Sequence, residues 1–217
     1  SQKPVFGYTA ILISSLAIAF VGYFVWGHHM FTAGISYGSR WFFSFLTFIV
    51  AVPSAIKVFN WISTMYGGSI DLKPPLLYAI SFIFLFMIGG FTGLTLGALA
   101  ANVQVHDTSF VVAHFHYITF GGMGFGFFAA IHYWYPKMFG RMYKKVPAVI
   151  GWLFLTVGFN VLYFPFFFLG YMGMPRRYYD YLPEYQTYHI ISTVGSWLLA
   201  LGLAILLINL IMSLRKG

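Results

Sequence analysis

Histidine is sparse in this chain, and its placement is what first suggests chemistry. The stretch His106-Asp107-Thr108-Ser109-Phe110-Val111-Val112-Ala113-His114-Phe115-His116-Tyr117 carries three of the seven histidines. On an α-helix each residue turns by about 100°, so side chains two apart point about 200° apart. His114 and His116 therefore address opposite faces of one helix. They are poorly placed to share a metal and well placed to ligate two cofactors flanking that helix. Imidazole suits haem iron, and an ionisable group inside an apolar helix is by default a functional hypothesis. A histidine in a helix bundle can also be satisfied by a neighbour, but two on opposed faces beside a His-Asp pair weigh against that plainer reading.

Three further features carry candidate chemistry. His28-His29 follows Trp26-Gly27. Adjacent imidazoles in a turn can bend toward one ion, and nitrogen-rich sites favour copper or zinc, although such a pair taken alone is more often a polar cap. Lys57 sits within the apolar run 49–61, about 27 Å along its helix from Ser39. A buried lysine readily loses its proton, which suits proton transfer; the alternative is an ammonium that snorkels to the interface. Arg176-Arg177 follows Gly173-Met174-Pro175. Paired guanidiniums suit carboxylates, whether those of a cofactor or those of Asp180 and Glu184 nearby.

The elements that must position these groups are membrane helices. Of 217 residues, 60% are hydrophobic and only 7% charged, whereas soluble domains carry about 25% charged residues. Four acids cannot solvate a chain of this size. The net charge of +8 does not indicate nucleic acid, because the cations are scattered at loop positions like juxtamembrane anchors. With no cysteine, disulfides and thiolate sites are excluded. About 20 apolar residues span a bilayer core, and six stretches qualify: 6–26, 41–66, 75–98, 110–135, 146–168 and 188–214. Six spans put both termini on one side. That side holds Lys3, Lys73, Lys137, Arg141, Lys144, Lys145, Arg215 and Lys216, against Arg40, Arg176 and Arg177 on the other. The positive-inside bias predicts termini in the cytoplasm or mitochondrial matrix, with all histidines but His132 toward the outer half. The chain reads as a single transmembrane domain over residues 1–217. Ser1-Gln2-Lys3-Pro4 reads as a processed end or as the continuation of a larger protein.

Taken in order, these residues resemble a known family. Lys3-Pro4-Val5-Phe6-Gly7-Tyr8, Trp26-Gly27-His28-His29-Met30-Phe31-Thr32, Val52-Pro53-Ser54-Ala55-Ile56-Lys57-Val58-Phe59-Asn60-Trp61, His106 through Tyr117, and Gly173-Met174-Pro175-Arg176-Arg177-Tyr178 are similar to successive motifs of subunit I of the haem–copper terminal oxidases. The resemblance covers the whole chain and implies an all-α membrane protein, a six-helix bundle that is the C-terminal half of a twelve-helix fold. It implies reduction of O₂ to water coupled to proton translocation, in a bacterial cytoplasmic or mitochondrial inner membrane. His28 and His29 would be copper ligands, His114 the axial ligand of a high-spin haem and His116 that of a low-spin haem. His106 and Asp107 would help hold magnesium, Arg176 and Arg177 would meet haem propionates, and Lys57, with Ser54 and Thr92, would conduct protons.

The implied partners are a chain carrying the first six helices, oxidase subunits II and III, an electron donor (cytochrome c or quinol) and membrane lipid. A third copper histidine, the second low-spin ligand and an acidic proton channel are not in these residues. Asn102 stands where the family has an acid, and Ser36-Tyr37-Gly38-Ser39 replaces acids after the His-His pair. Two other classes stay open on the residues alone: a cofactor-free proton channel or transporter, and a non-catalytic assembly subunit. His132 is expected at the interface and His189 in packing or capping. Gly121, Gly122, Gly124 and Gly126 are expected at close helix contacts.

Overall fold

The computed structural model describes residues 4–215; Lys3 and Lys216, counted above among the cations of one side, lie outside them. The chain folds as α1 (Tyr8–Phe24), a 3₁₀ turn (Trp26–Met30), α2 (Tyr37–Met65), α3 (Pro74–Gly97), α4 (Leu99–Val105), α5 (Ser109–His116), a π-helical segment (Tyr117–Gly124), α6 (Phe125–Phe139), α7 (Lys145–Tyr171), a second 3₁₀ turn (Pro183–Tyr185) and α8 (Gln186–Arg215). Among the described residues the single departure from helix and loop is an antiparallel bridge between Thr108 and Pro175.

Among the described residues, five helical stretches are long and apolar enough to cross a membrane: Tyr8–Met30, Tyr37–Met65, Pro74–Gly97, Lys145–Tyr171 and Pro183–Arg215. The remaining stretch predicted to span, 110–135, is helical throughout but changes winding. α5 passes into the π segment and then α6 without a break. Its 31 residues, Ser109 to Phe139, would rise about 46 Å at α-helical pitch, enough to cross a hydrocarbon core of about 30 Å. Gly121, Gly122 and Gly124 fall in the π segment, where residues of low helix propensity yield most easily. Gly121 and Gly122 lie against α3: a Cβ on Gly121 would come within 3.0 Å of Leu85 Cβ, and one on Gly122 within 3.3 Å of Phe86. Gly126 differs from expectation, because nothing lies within 4 Å of its Cβ position.

Contacts gather into two compact units, Ser1–Ile70 with Gly90–His106, and Asp71–Gly89 with Asp107–Gly217. In the first, the Ser36 hydroxyl caps α2 by accepting from the Ser39 N–H at 3.1 Å. α2 is then fastened at both ends. Thr64 Oγ1 accepts from the Phe6 N–H at 3.0 Å, and Ser44 Oγ donates to the Gly97 carbonyl at 2.6 Å. Pro53, buried within α2, has no N–H for the carbonyl one turn before it and loosens the helix just ahead of Lys57.

In the second unit α7 and α8 lie antiparallel at very short range. A Cβ on Gly158 would strike the Leu199 backbone, one on Gly195 the Leu162 backbone, and one on Gly202 would sit 2.7 Å from the Leu155 nitrogen. Lipid supplies no hydrophobic force between helices, so close approach through small residues holds such pairs together. The clashing atoms are backbone and cannot rotate away. Gly158→Val or Gly195→Val should therefore destabilise the protein by at least the roughly 1–3 kcal/mol of an overpacked core. Gly151→Ala, whose Cβ would meet its neighbours at an ordinary 3.4 Å, should cost far less. Thermal midpoints in detergent would check this; equal midpoints for Gly158→Val and Gly151→Ala would refute it.

Candidate functional site

In the first unit, His28 and His29 lie on the 3₁₀ turn Trp26–Met30. Their Nε2 atoms converge to 3.0 Å. His28 Nδ1 lies 3.2 Å from Thr47 Oγ1, and that hydroxyl spends its proton on the Phe43 carbonyl at 2.7 Å. Thr47 must therefore accept from His28 Nδ1–H, so His28 Nε2 is the acceptor of the 3.0 Å bond and His29 Nε2–H its donor. Second-shell bonds of this kind fix the tautomer of a metal-ligating histidine. Two imidazole nitrogens 3.0 Å apart lie close enough together to fit a single metal ion such as copper.

Also in this unit, Asn102 is buried. Its Oδ1 accepts from His106 Nδ1–H at 3.2 Å, and its Nδ2 donates to the Leu96 carbonyl at 2.8 Å. The amide orients His106 as a carboxylate would, without charge. Lys57 lies twenty residues into α2 and is half-buried. Ser54 stands one turn before it, its hydroxyl donating to the Val50 carbonyl at 3.1 Å.

In the second unit, His114 and His116 both belong to α5. The helix is still of α type at that point, so the opposed-face geometry holds. His116 Nδ1 lies 2.8 Å from the Val112 carbonyl. A carbonyl can only accept, so Nδ1 carries the proton and Nε2 keeps its lone pair. The ring is clamped by stacking on Tyr163 at 4.0 Å and on Phe115 at 4.4 Å. A neutral imidazole held by a backbone carbonyl with Nε2 unprotonated suits an axial haem ligand. His114 is half-buried one turn before the π segment, and its carbonyl accepts from the Tyr117 N–H. π-helical turns are frequent at functional sites.

The bridge between Thr108 and Pro175 joins the segments bearing Asp107 and the arginine pair. Ser109 N–H donates to the Met174 carbonyl at 2.9 Å, and Arg176 N–H to the Asp107 carbonyl at 2.8 Å. Arg176 Nε sits 3.5 Å from Asp107 Oδ1. The arginine thus answers Asp107, a partner far away in sequence. Asp107 and Arg177 both adopt positive φ, 53° and 62°, a conformation that costs about 1 kcal/mol or more outside glycine. Backbone strain at both ends of one short bridge is a mark of functional segments.

Two histidines take different positions from those expected or join none of these groups. His132 is not interfacial but buried, 1% exposed, its ring stacked on Tyr78 at 4.9 Å and edge-on to Tyr143 at 4.8 Å. His189 packs as expected, stacked on Tyr181 at 3.9 Å with Nε2 3.3 Å from Met174 Sδ. Sequence reasoning missed Thr47 and Tyr163. A threonine nineteen residues beyond His28 and a tyrosine on another helix carry no local signal.

The chain matches the family model described as Cytochrome C and Quinol oxidase polypeptide I over residues 1–198. It is 45% identical over 217 residues to a cytochrome c oxidase subunit 1 of Thermostichus vulcanus, covering all of this chain and 39% of that protein. It is 44% identical over 218 residues to a quinol oxidase subunit 1 of Bacillus spizizenii, covering 99% of this chain and 33% of that one. A solved heme-copper terminal oxidase dimer superposes with a TM-score of 0.78 at 27% identity, over 88% of this chain and 39% of that one. The chain therefore spans between a third and two fifths of the length of these relatives.

Proposed function

We propose a function on one premise: this chain belongs to the cytochrome c and quinol oxidase polypeptide I family. It is a multi-pass membrane protein of that family and corresponds to a C-terminal half of subunit I. We infer that it supplies part of the site where a respiratory terminal oxidase reduces O₂ to water, coupled to proton translocation, with cytochrome c as the leading electron donor and quinol as the second. When bound, two haems and a copper ion supply the electron transfer and oxygen reduction that no side chain here can perform.

The chain's own residues hold and feed that chemistry. His28 and His29 would hold copper through their Nε2 atoms once the proton shared between the two rings has left. His114 offers its ring to the high-spin haem and His116 to the low-spin haem, one on each side of α5. Arg176 and Arg177 meet propionates through guanidinium N–H groups. His106 and Asp107 are assigned to magnesium, and oxygen ligands such as the Asp107 carboxylate suit that ion. Lys57 Nζ accepts and releases protons on a path that includes Ser54 and Thr92. Both termini are assigned to the inner side on the cation count. The remaining partners are a chain carrying the first six helices, subunits II and III, and lipid.

The observation that carries this reading is the convergence of the two Nε2 atoms to 3.0 Å, on a histidine pair in the family's order with His114 and His116. A reduced-minus-oxidised optical spectrum of the purified complex, with iron and copper counts, tests it. Two haem signals and copper are expected; a cofactor-free transporter would give neither and would end the oxidase reading. Lys57→Met should leave those signals intact and slow turnover by roughly 100-fold, the scale of a lost proton-transfer group. Wild-type turnover in that variant would return Lys57 to the role of an interfacial anchor.

A further inference from the structure

We propose that a groove between the start of α7 and the end of α8 is a binding site for one anionic phospholipid. The groove has a volume of about 300 Å³ and is lined by Met142, Pro147, Ile205, Ile208 and Met212, with Lys144 also in its lining. α7 begins at Lys145 and α8 ends at Arg215, and both helices are of membrane-spanning length and hydropathy. The groove therefore straddles the level at which the two spans leave the bilayer, its apolar wall running about 10 Å down α8 from Met212 to Ile205.

Its polar end is built rather than incidental. Asn209, buried on α8, clamps the Lys144 main chain from both sides. Its Oδ1 accepts from the Lys144 N–H at 3.2 Å, and its Nδ2 donates to the Lys144 carbonyl at 2.9 Å. Arg141 is fastened to the end of α8, its guanidinium donating to the Leu214 carbonyl. The Lys144 main chain is thus fixed in the lining of an apolar trough and the Arg141 guanidinium is held at the end of α8; Lys145 and Arg215 are close by in sequence, and residues 137–150 and 205–217 contain no acid. A basic pocket between helix ends at the membrane boundary suits an anionic headgroup. The occupant is a lipid because only a lipid joins that charge to a chain that fills the apolar trough. An acidic peptide or free phosphate would leave the trough wet.

The test uses the assembled complex in phosphatidylcholine membranes doped with phosphatidylglycerol carrying a photoreactive group on its acyl chain. Adducts should map to Met142, Ile208 and Met212, and photoreactive phosphatidylcholine should label them far less. Each cation near the surface is worth about a factor of five in anionic-lipid affinity, so Arg141→Gln with Lys144→Gln should cut the preference roughly 25-fold. Ile208→Trp, which keeps both cations and fills the trough, should abolish labelling in a complex with unchanged haem spectra. Equal labelling by the two lipids, a preference that survives the double substitution, or labelling that survives Ile208→Trp would overturn the proposal. So would displacement of the lipid by inorganic phosphate alone, or a cross-link from Lys144 to another subunit seated in the groove.

Discussion

Replacing His114 by alanine in the assembled oxidase should abolish the high-spin, oxygen-binding haem and all turnover, while His116→Ala should remove chiefly the low-spin haem signal. The split follows from helical phase. Both residues lie in a stretch that is still α-helical, and the change of winding begins one residue after His116. Two residues apart, the imidazoles leave the helix about 200° apart, so each can serve only the cofactor on its own side. The effect should exceed the roughly 10–100-fold that second-shell changes cause at metal sites, because the ligand itself is lost. The His116 arm has a further expectation. Its Nδ1–H bond to the Val112 carbonyl and its stack on Tyr163 pre-orient the ring, so His116→Asn should not restore the signal. Optical spectra of both variants, alongside carbon monoxide difference spectra for the oxygen-binding haem, provide the measurement. Loss of both haems from either single variant in an assembled protein would refute the two-face assignment, and unchanged spectra in both would refute the haem reading altogether.

Much of this architecture is legible in the sequence because lipid imposes a simple rule. Each apolar run must close its own backbone hydrogen bonds, so a run of about 20 residues is a helix whatever surrounds it. The runs at 41–66 and 146–168 accordingly appear as α2 and α7, α2 starting four residues earlier and α7 running three residues further. The π segment was not legible. Its i→i+5 bonding arises where Gly121 and Gly122 meet Leu85 and Phe86, and those partners sit more than thirty residues upstream. His132 illustrates the same limit. Its spacing places it near a helix end, where interfacial exposure is the expectation, but Tyr78 and Tyr143 enclose it from two other segments. Local pairs were readable in principle. Asn102 on α4 and His106 at its C-cap are four apart, a spacing at which side chains meet across a helical turn, so the replacement of an acid by an amide there keeps the hydrogen bond and removes the charge. The Arg176–Asp107 pair, joined through the Thr108–Pro175 bridge, is long-range and gave no such sign; proximity in sequence favoured Asp180 and Glu184 instead.

The 217 residues expressed alone should reduce no oxygen and should hold neither a bis-histidine haem nor a complete copper site. The ligand count requires it. On the proposed assignment His28 and His29 offer two of the three imidazoles a copper site of this family would use, and His116 one of the two axial ligands of the low-spin haem. Packing points the same way. Within this chain only 11% of the most apolar stretch of α2 is buried, against 39% for α7. α7 has α8 as a close neighbour, whereas α2 carries the half-buried Lys57 on a helix that is little covered among the described residues. An ammonium facing hydrocarbon would cost several kcal/mol, so α2 calls for protein as well as lipid beside it. Co-expression with a chain carrying the first six helices should therefore restore haem content, copper and oxygen consumption together, since each needs ligands from both halves. Haem and copper assays with oxygen-electrode rates, on the lone chain and on the pair, make the comparison. If the lone chain bound two haems and copper and consumed oxygen, the half-subunit reading would have to be abandoned. If the pair assembled but gained copper without the low-spin haem, the assignment of His116 would fail while that of His28 and His29 stood.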